Sequence, residues 1–116
     1  MNRKIKIAYF TDVLVKGLDG VTNTVFNIIE RFPADKYDVR FITPYPPENI
    51  DDFPFPVFVC KFLTFPFYRD YRVAIPYYNN KSLKKTLGDF NPDLVHFTTP
   101  SFLGKYAIRY AKANNL

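Results

Sequence analysis

The residues that could do chemistry stand at a few places along the chain. Asp12 follows the apolar run Ile5-Lys6-Ile7-Ala8-Tyr9-Phe10. Gly17 and Gly20 lie in a polar loop just ahead of Val21, Val25, Ile28, Ile29 and Phe32, which recur at helical spacing. A glycine loop between a strand and a helix can bring backbone N–H groups and the positive end of the helix to one anion, such as a phosphate. Arg69 and Arg72 stand among tyrosines in Tyr68-Arg69-Asp70-Tyr71-Arg72; Arg72 could pair with a phosphate or carboxylate, or both could be surface arginines on a loop. The single histidine, His96, sits in the apolar run Leu94-Val95-His96-Phe97, just before Thr98 and Thr99. A neutral imidazole there could hydrogen-bond a hydroxyl or shuttle a proton, or it could be a satisfied structural residue of a buried strand.

The same residues exclude other chemistries. Gly17-x-x-Gly20-Val21 lacks the Lys-Ser/Thr ending of a nucleoside-triphosphate loop and the three-glycine spacing of a dinucleotide fingerprint. The run Tyr37–Thr43 ends without the acidic residue that would hold a ribose, so a dinucleotide cofactor is not expected. Gly20 remains open to two readings, a phosphate cradle or a plain N-cap glycine. One His and one Cys give no metal-ligand spacing and no histidine-based triad. Neither Asp12 nor Asp70 has a partner whose distance the sequence can set, so no catalytic dyad is assigned.

These residues need elements to hold them. The apolar patterning predicts a strand over Lys4–Thr11 and a helix over Val21–Phe32, with Asp19 or Gly20 near its N-cap and Pro33 as a stop. It predicts strands over Tyr37–Thr43 and Val57–Lys61, and a helix over Lys81–Phe90 ended by Asn91-Pro92. A fourth strand, Leu94–Phe97, and a helix from Ser101 or Phe102 to Asn114 follow. Strands alternating with helices imply an α/β fold, a Rossmann-like parallel sheet with flanking helices and strand order 3-2-1-4. The order reverses between the first and fourth strands, and ligands of such sheets bind outside the carboxyl ends there. That places Thr11, Asp12, Gly20, His96, Thr98 and Thr99 around one crevice. The segment from Pro44 to Tyr78 holds seven of the ten prolines, and residues 53–78 hold ten aromatics. It is expected to be a long restrained loop with little regular structure, either pinned to the body by its Phe side chains or lining an acceptor or partner surface.

With 116 residues the chain suits one domain, and 47% hydrophobic with 23% charged residues is ordinary globular material. No apolar stretch approaches the roughly 18 residues of a membrane span. A secretory signal is not expected, and the lone Cys60 fits a reducing compartment, so the expected localisation is cytoplasmic. The net charge of +5 and pI near 9.3 suit an anionic partner. Lys105, Arg109 and Lys112 fall on one predicted helix face and Lys81, Lys84 and Lys85 on another. These are solvated faces or a peripheral contact with the inner face of a membrane, and no motif supports nucleic acid. Ala113-Asn114-Asn115-Leu116 reads as a fraying helix that should feed another strand, so the fourth strand is expected to be an exposed edge and residues 1–116 an N-terminal piece of a longer protein.

Four stretches, taken in order, resemble glycosyltransferase family 4. They are Phe10-Thr11-Asp12; Asp19-Gly20-Val21-Thr22-Asn23-Thr24; Tyr68 to Pro76; and Pro92-Asp93-Leu94-Val95-His96-Phe97-Thr98-Thr99-Pro100-Ser101-Phe102-Leu103-Gly104. The chain looks like the N-terminal, acceptor-side domain of GT-B enzymes, in which two Rossmann-like domains face each other across a cleft. The resemblance implies a hexosyltransferase that moves a sugar from a UDP- or GDP-sugar to a lipid or glycan acceptor. It implies retention of configuration, with no cofactor and no bound metal. It implies donor-diphosphate contacts at Gly20 and Val21. It implies acceptor contacts at Asp12, Tyr68, Arg69, Arg72, His96 and Thr98, with Asp12 and His96 the candidates for a catalytic part. The family often has Gly-Gly-Val where this chain has Asp19-Gly20-Val21. The histidine after the family's next strand and the paired glutamates of its donor domain would lie beyond Leu116, so the piece alone is expected to be inactive. The alternative is a non-catalytic Rossmann-like module that binds a phosphorylated ligand or a protein partner.

Overall fold

Ile7 and Tyr9 of the first strand are buried on one face of a sheet, and Ala8 and Phe10 on the other. A strand covered on both sides must read as a continuous apolar run, which is what its buried part Ile7–Phe10 is. The computed structural model describes residues 3–15, 20–65, 68–78 and 80–116. Gly17 and Asp19, the loop glycine and the candidate cap, lie outside them. In chain order the elements are β1 (Ile5–Phe10), α1 (Gly20–Arg31), β2 (Tyr37–Thr43), β3 (Val57–Val59), β4 (Phe62–Phe65), β5 (Tyr68–Ala74), α2 (Lys81–Phe90), β6 (Leu94–Phe97) and α3 (Phe102–Ala113). The main sheet is parallel, in the order β3-β2-β1-β6, with Tyr9 opposite both Phe41 and His96. This is the α/β, Rossmann-like arrangement expected from the alternation of strands and helices, and β6 is the anticipated fourth strand.

Two apolar layers clamp the sheet. On one face Val25 and Ile29 of α1 meet Ile7, Tyr9, Val39 and Phe41. Phe53 and Phe55 close the edge of this layer, with the Phe53 ring edge-on to Phe41 at 5.3 Å. On the other face Leu83, Leu87 and Phe90 of α2 and Leu103, Tyr106 and Ala107 of α3 cover Ala8, Phe10, Ile42 and Cys60. α2 ends where Asn91 takes the left-handed conformation, φ 51°, and its N–H donates to the Leu87 carbonyl at 2.8 Å. Asp93 then fastens β6 to β1. Its carboxylate accepts from the Lys6 N–H at 2.8 Å and from Arg3 at 2.9 Å. These two bonds, the Lys6 one first, hold its pKa below the ordinary carboxylate value.

The proline- and aromatic-rich segment corrects the expectation of a long loop. β4 and β5 form an antiparallel hairpin, with an irregularity between Thr64 and Phe65. The physical reason is where the prolines stand. Proline bars a ladder only where it removes a donor. Pro44 to Pro56 precede β3, Pro66 stands between the two strands in sequence, and Pro76 follows β5, so both strands keep their N–H groups. Ile75 extends the pairing by donating to the Lys61 carbonyl at 2.9 Å. The third strand is also shorter than expected and ends at Val59, with the Cys60 N–H donating to the Thr43 carbonyl.

Two outcomes follow from the packing. A Cβ added at Gly104 would lie 2.1 Å from the Thr99 carbonyl oxygen and 3.1 Å from the Phe97 ring, whereas one at Gly88 meets nothing within 4 Å. Gly104→Ala is therefore expected to cost about 1–3 kcal/mol. Gly88→Ala, in the exposed middle of α2, is expected to gain about 0.5–1 kcal/mol, both read from urea unfolding. Cys60 is 4% exposed, and burial, reinforced by the negative charge of Asp12, pushes its thiol up to about 12. It should resist a thiol reagent at pH 8 until urea is added. Because the folded thiol keeps its proton longer than the unfolded one, stability should fall as pH rises above about 8.5.

Candidate active site

The carboxyl ends of β1, β2, β3 and β6 form one rim, and the loops leaving them are tied to each other. The Thr11 N–H donates to the Ile42 carbonyl and the Thr98 N–H to the Phe10 carbonyl, so the sheet ladder runs one residue past the strands. The loop after β1 is then held from both sides. The Leu14 N–H donates to the Tyr45 carbonyl at 2.9 Å on the β2 side. On the β6 side Asp12 accepts from the Ser101 hydroxyl at 2.8 Å through one oxygen and from the Thr99 hydroxyl through the other.

Ser101 does two things at once. Its extended backbone and its hydroxyl, which accepts from the Gly104 N–H at 3.3 Å, cap the start of α3. The same hydroxyl donates to Asp12. α3 has no acidic residue in its own first turn. Asp12 supplies that negative charge from the loop after β1, opposite the positive end of the helix. A carboxylate has about four acceptor sites, so Asp12 can still take a hydroxyl from a ligand. Thr98 completes this side by donating its hydroxyl to that of Thr11 at 3.4 Å, and Thr11 donates to the Val13 carbonyl.

The structure brings Thr11, Asp12, Thr98 and Thr99 together and disperses the other candidates. Gly20 opens α1, which starts at the carboxyl side of the sheet because β1 and β2 are parallel. A Cβ at Gly20 meets nothing within 4 Å among the described residues, so its surroundings there do not demand a glycine. Val21 is the second residue of α1. His96 is one pleat back from the rim and is exposed rather than buried in the sheet. β6 is the edge strand, and α1 covers β1 and β2 but leaves Leu94 and His96 open. The imidazole lies against Tyr9, ring centroids 4.4 Å apart. Desolvation on that side lowers its pKa below the ordinary 6.5, which favours the neutral ring.

Arg72 belongs to the β2 side of the rim. Its guanidinium donates to the Pro44 carbonyl at 3.0 Å and lies over the rings of Tyr45 and Phe62, at 4.6 and 4.3 Å. It thereby ties the hairpin to the chain leaving β2. Tyr68 and Arg69 begin β5, Tyr68 standing opposite Phe65 of β4. A cavity of about 340 Å³ opens next to the rim and is lined by Cys60, Lys61, Ile75, Tyr78 and Ser82. Sequence reasoning placed Thr99 in the crevice but gave Ser101 no part in the site. Its signal was a serine just ahead of an apolar helical run, which predicts the cap and is silent about Asp12, 89 residues away.

Among the described residues no helix is long and apolar enough to cross a membrane. The family model for Glycosyltransferase Family 4 matches residues 18–116. A curated relative, the GDP-mannose-dependent alpha-mannosyltransferase of Corynebacterium glutamicum, is 25% identical over 109 residues, covering 88% of this chain and 25% of its own length. The chain thus spans about a quarter of the length of that relative. No solved structure matches. The match takes in the start of α1, the hairpin and the Asp93-to-Gly104 segment that builds the β6 side of the rim, and the chain belongs to glycosyltransferase family 4.

Proposed function

We propose that residues 1–116 are the N-terminal, acceptor-side domain of a retaining glycosyltransferase that moves a hexose from a nucleotide sugar to a lipid or glycan acceptor. The observation that carries this reading is the rim where Thr99 and Ser101 hold Asp12, at the end of the sheet where α1 begins with Gly20. The positive end of a helix suits a diphosphate, whose charge grows as the sugar departs. Gly20 and Val21 would meet that diphosphate through their backbone. Asp12, held by Thr99 and Ser101, and Thr98 would orient an acceptor hydroxyl. His96, whose neutral form is favoured by desolvation, would reach the acceptor from the exposed face of β6. Tyr68, Arg69 and Arg72 would bound the acceptor from the hairpin, and the cavity beside Cys60 offers room for it.

The name of the corynebacterial relative makes GDP-mannose the first donor to try. A nucleotide sugar also needs a second, donor-binding domain facing this rim, so the proposal holds this piece inactive by itself. Closure of the two domains would exclude water from the donor. The proposal needs neither a metal nor a cofactor beyond the nucleotide sugar. Its setting is the cytoplasm, in keeping with the reduced, buried Cys60.

In the complete protein, Gly20→Trp should abolish transfer from GDP-mannose or another nucleotide sugar, a loss of at least about a hundredfold. Its urea midpoint should stay near that of the parent, since a Cβ there meets nothing among the described residues. Undiminished transfer by the folded variant would remove Gly20 from the donor site. Ligand binding without any transfer would favour a binding module instead.

A further inference from the structure

Arg40 brings a charge to a face of the sheet whose core is apolar. Successive residues of a strand point to opposite sides, and Val39 and Phe41 of β2 lie in the layer under α1. Arg40 therefore shares the other side with Ile42, beneath α2. In register it stands beside Ala8 of β1, and the next residue, Phe41, donates its N–H to the Pro56 carbonyl just ahead of β3. The Arg40 guanidinium lies over the ring of Phe90, the last residue of α2, at 4.5 Å. Arg40 is half-buried, and its Nε is buried without a hydrogen-bond partner. Among the described residues the sole ion pair is Arg3–Asp93, so neither Asp38, two residues back, nor Asp89 of α2 neutralises it. A cavity of about 130 Å³ opens beside this group. Its walls include Ile42, Val57, Phe58, Leu87 and Phe90, and among the described residues Thr86 of α2 brings the one polar side chain besides Arg40. Phe58 also lines the larger cavity beside Cys60, so the two are neighbours, and Asp12, Thr98, Thr99 and Ser101 line neither.

We infer that this cavity binds a small organic carboxylate. A buried donor left without a partner costs stability, and a buried charge left without one costs more. The Nε–H and one Nη–H of a guanidinium form a fork that meets the two oxygens of a carboxylate. The Phe90 ring covers a face of the Arg40 guanidinium and leaves its edge for a ligand. The Thr86 hydroxyl can donate to the same anion. The apolar walls suit a short hydrocarbon body, and the volume is close to that of a dry cavity that takes benzene, about 150 Å³. A phosphate would need more donors than one fork and one hydroxyl, and the walls offer its remaining oxygens none. An uncharged occupant would leave the Nε unpaired. This site is independent of the glycosyltransferase reading.

The test is a titration of the isotope-labelled chain with sodium butyrate, followed by NMR at the Arg40 Nε–H resonance. That resonance should move downfield and saturate at concentrations on the order of millimolar, with the Thr86 and Phe90 amides moving alongside it. Butanol and sodium chloride at matched concentration should leave it in place. Arg40→Met keeps the stem of the side chain and removes the fork. The variant should fold, because an apolar side chain replaces an unpaired charge, and butyrate should act on the Thr86 and Phe90 amides about tenfold more weakly or less. No saturable movement with butyrate at tens of millimolar overturns the proposal. So does an equal response to inorganic phosphate, which would mark a general anion site, or to butanol, which would mark a merely apolar cavity. These probes are compared on the parent chain, so the outcome stands whether or not the variant folds.

Discussion

The geometry at the open end of this domain depends on one buried-edge constraint, the carboxylate of Asp12 held between β1 and the start of α3. The central strand delivers an acidic side chain to the place where a helix without acid in its first turn has its positive end. Two hydroxyls, from Thr99 and Ser101, saturate the near side of that carboxylate and fix its direction. Charge-assisted bonds of this kind are shorter and stronger than neutral ones. They also join two segments far apart in the chain, so the loop after β1 and the loop after β6 have one relative position. The close approach of Gly104 to the Thr99 carbonyl belongs to the same joint, since a side chain there would push α3 away from the residues that hold Asp12.

The other side of the rim is built by different means. Leu14 binds the Tyr45 carbonyl, and Arg72 reaches across from the hairpin to Pro44 while stacking on Tyr45 and Phe62. A guanidinium suits this because it is planar, weakly hydrated and able to donate in its plane while its faces meet rings. The rim is therefore rigid at β2 and at β6. On the α1 side Gly20 begins the helix at the same end of the sheet.

Much of this was legible in the chain. β2, α2 and β6 begin and end where the apolar periodicity, Pro33 and Asn91-Pro92 put them, because two-sided burial and helix stops are local signals. The parallel strand order followed from the alternation of elements. The hairpin was not legible, because proline and aromatic content were weighed over the whole segment and not strand by strand. Residues 57–65 contain no proline, and that was the available signal. The exposure of His96 was missed because an apolar run does not say which strand lies at an edge. The second role of Ser101 is a contact between distant residues, which no local pattern encodes.

The most direct measurement is a double-mutant cycle for stability on Asp12→Ala and Ser101→Ala. If the carboxylate and the helix cap form one joint, the double variant should be less destabilised than the sum of the single variants by about 1–2 kcal/mol. Additivity within about 0.5 kcal/mol would mean that the two side chains act independently, and the account of Asp12 as the joint of the rim would be wrong.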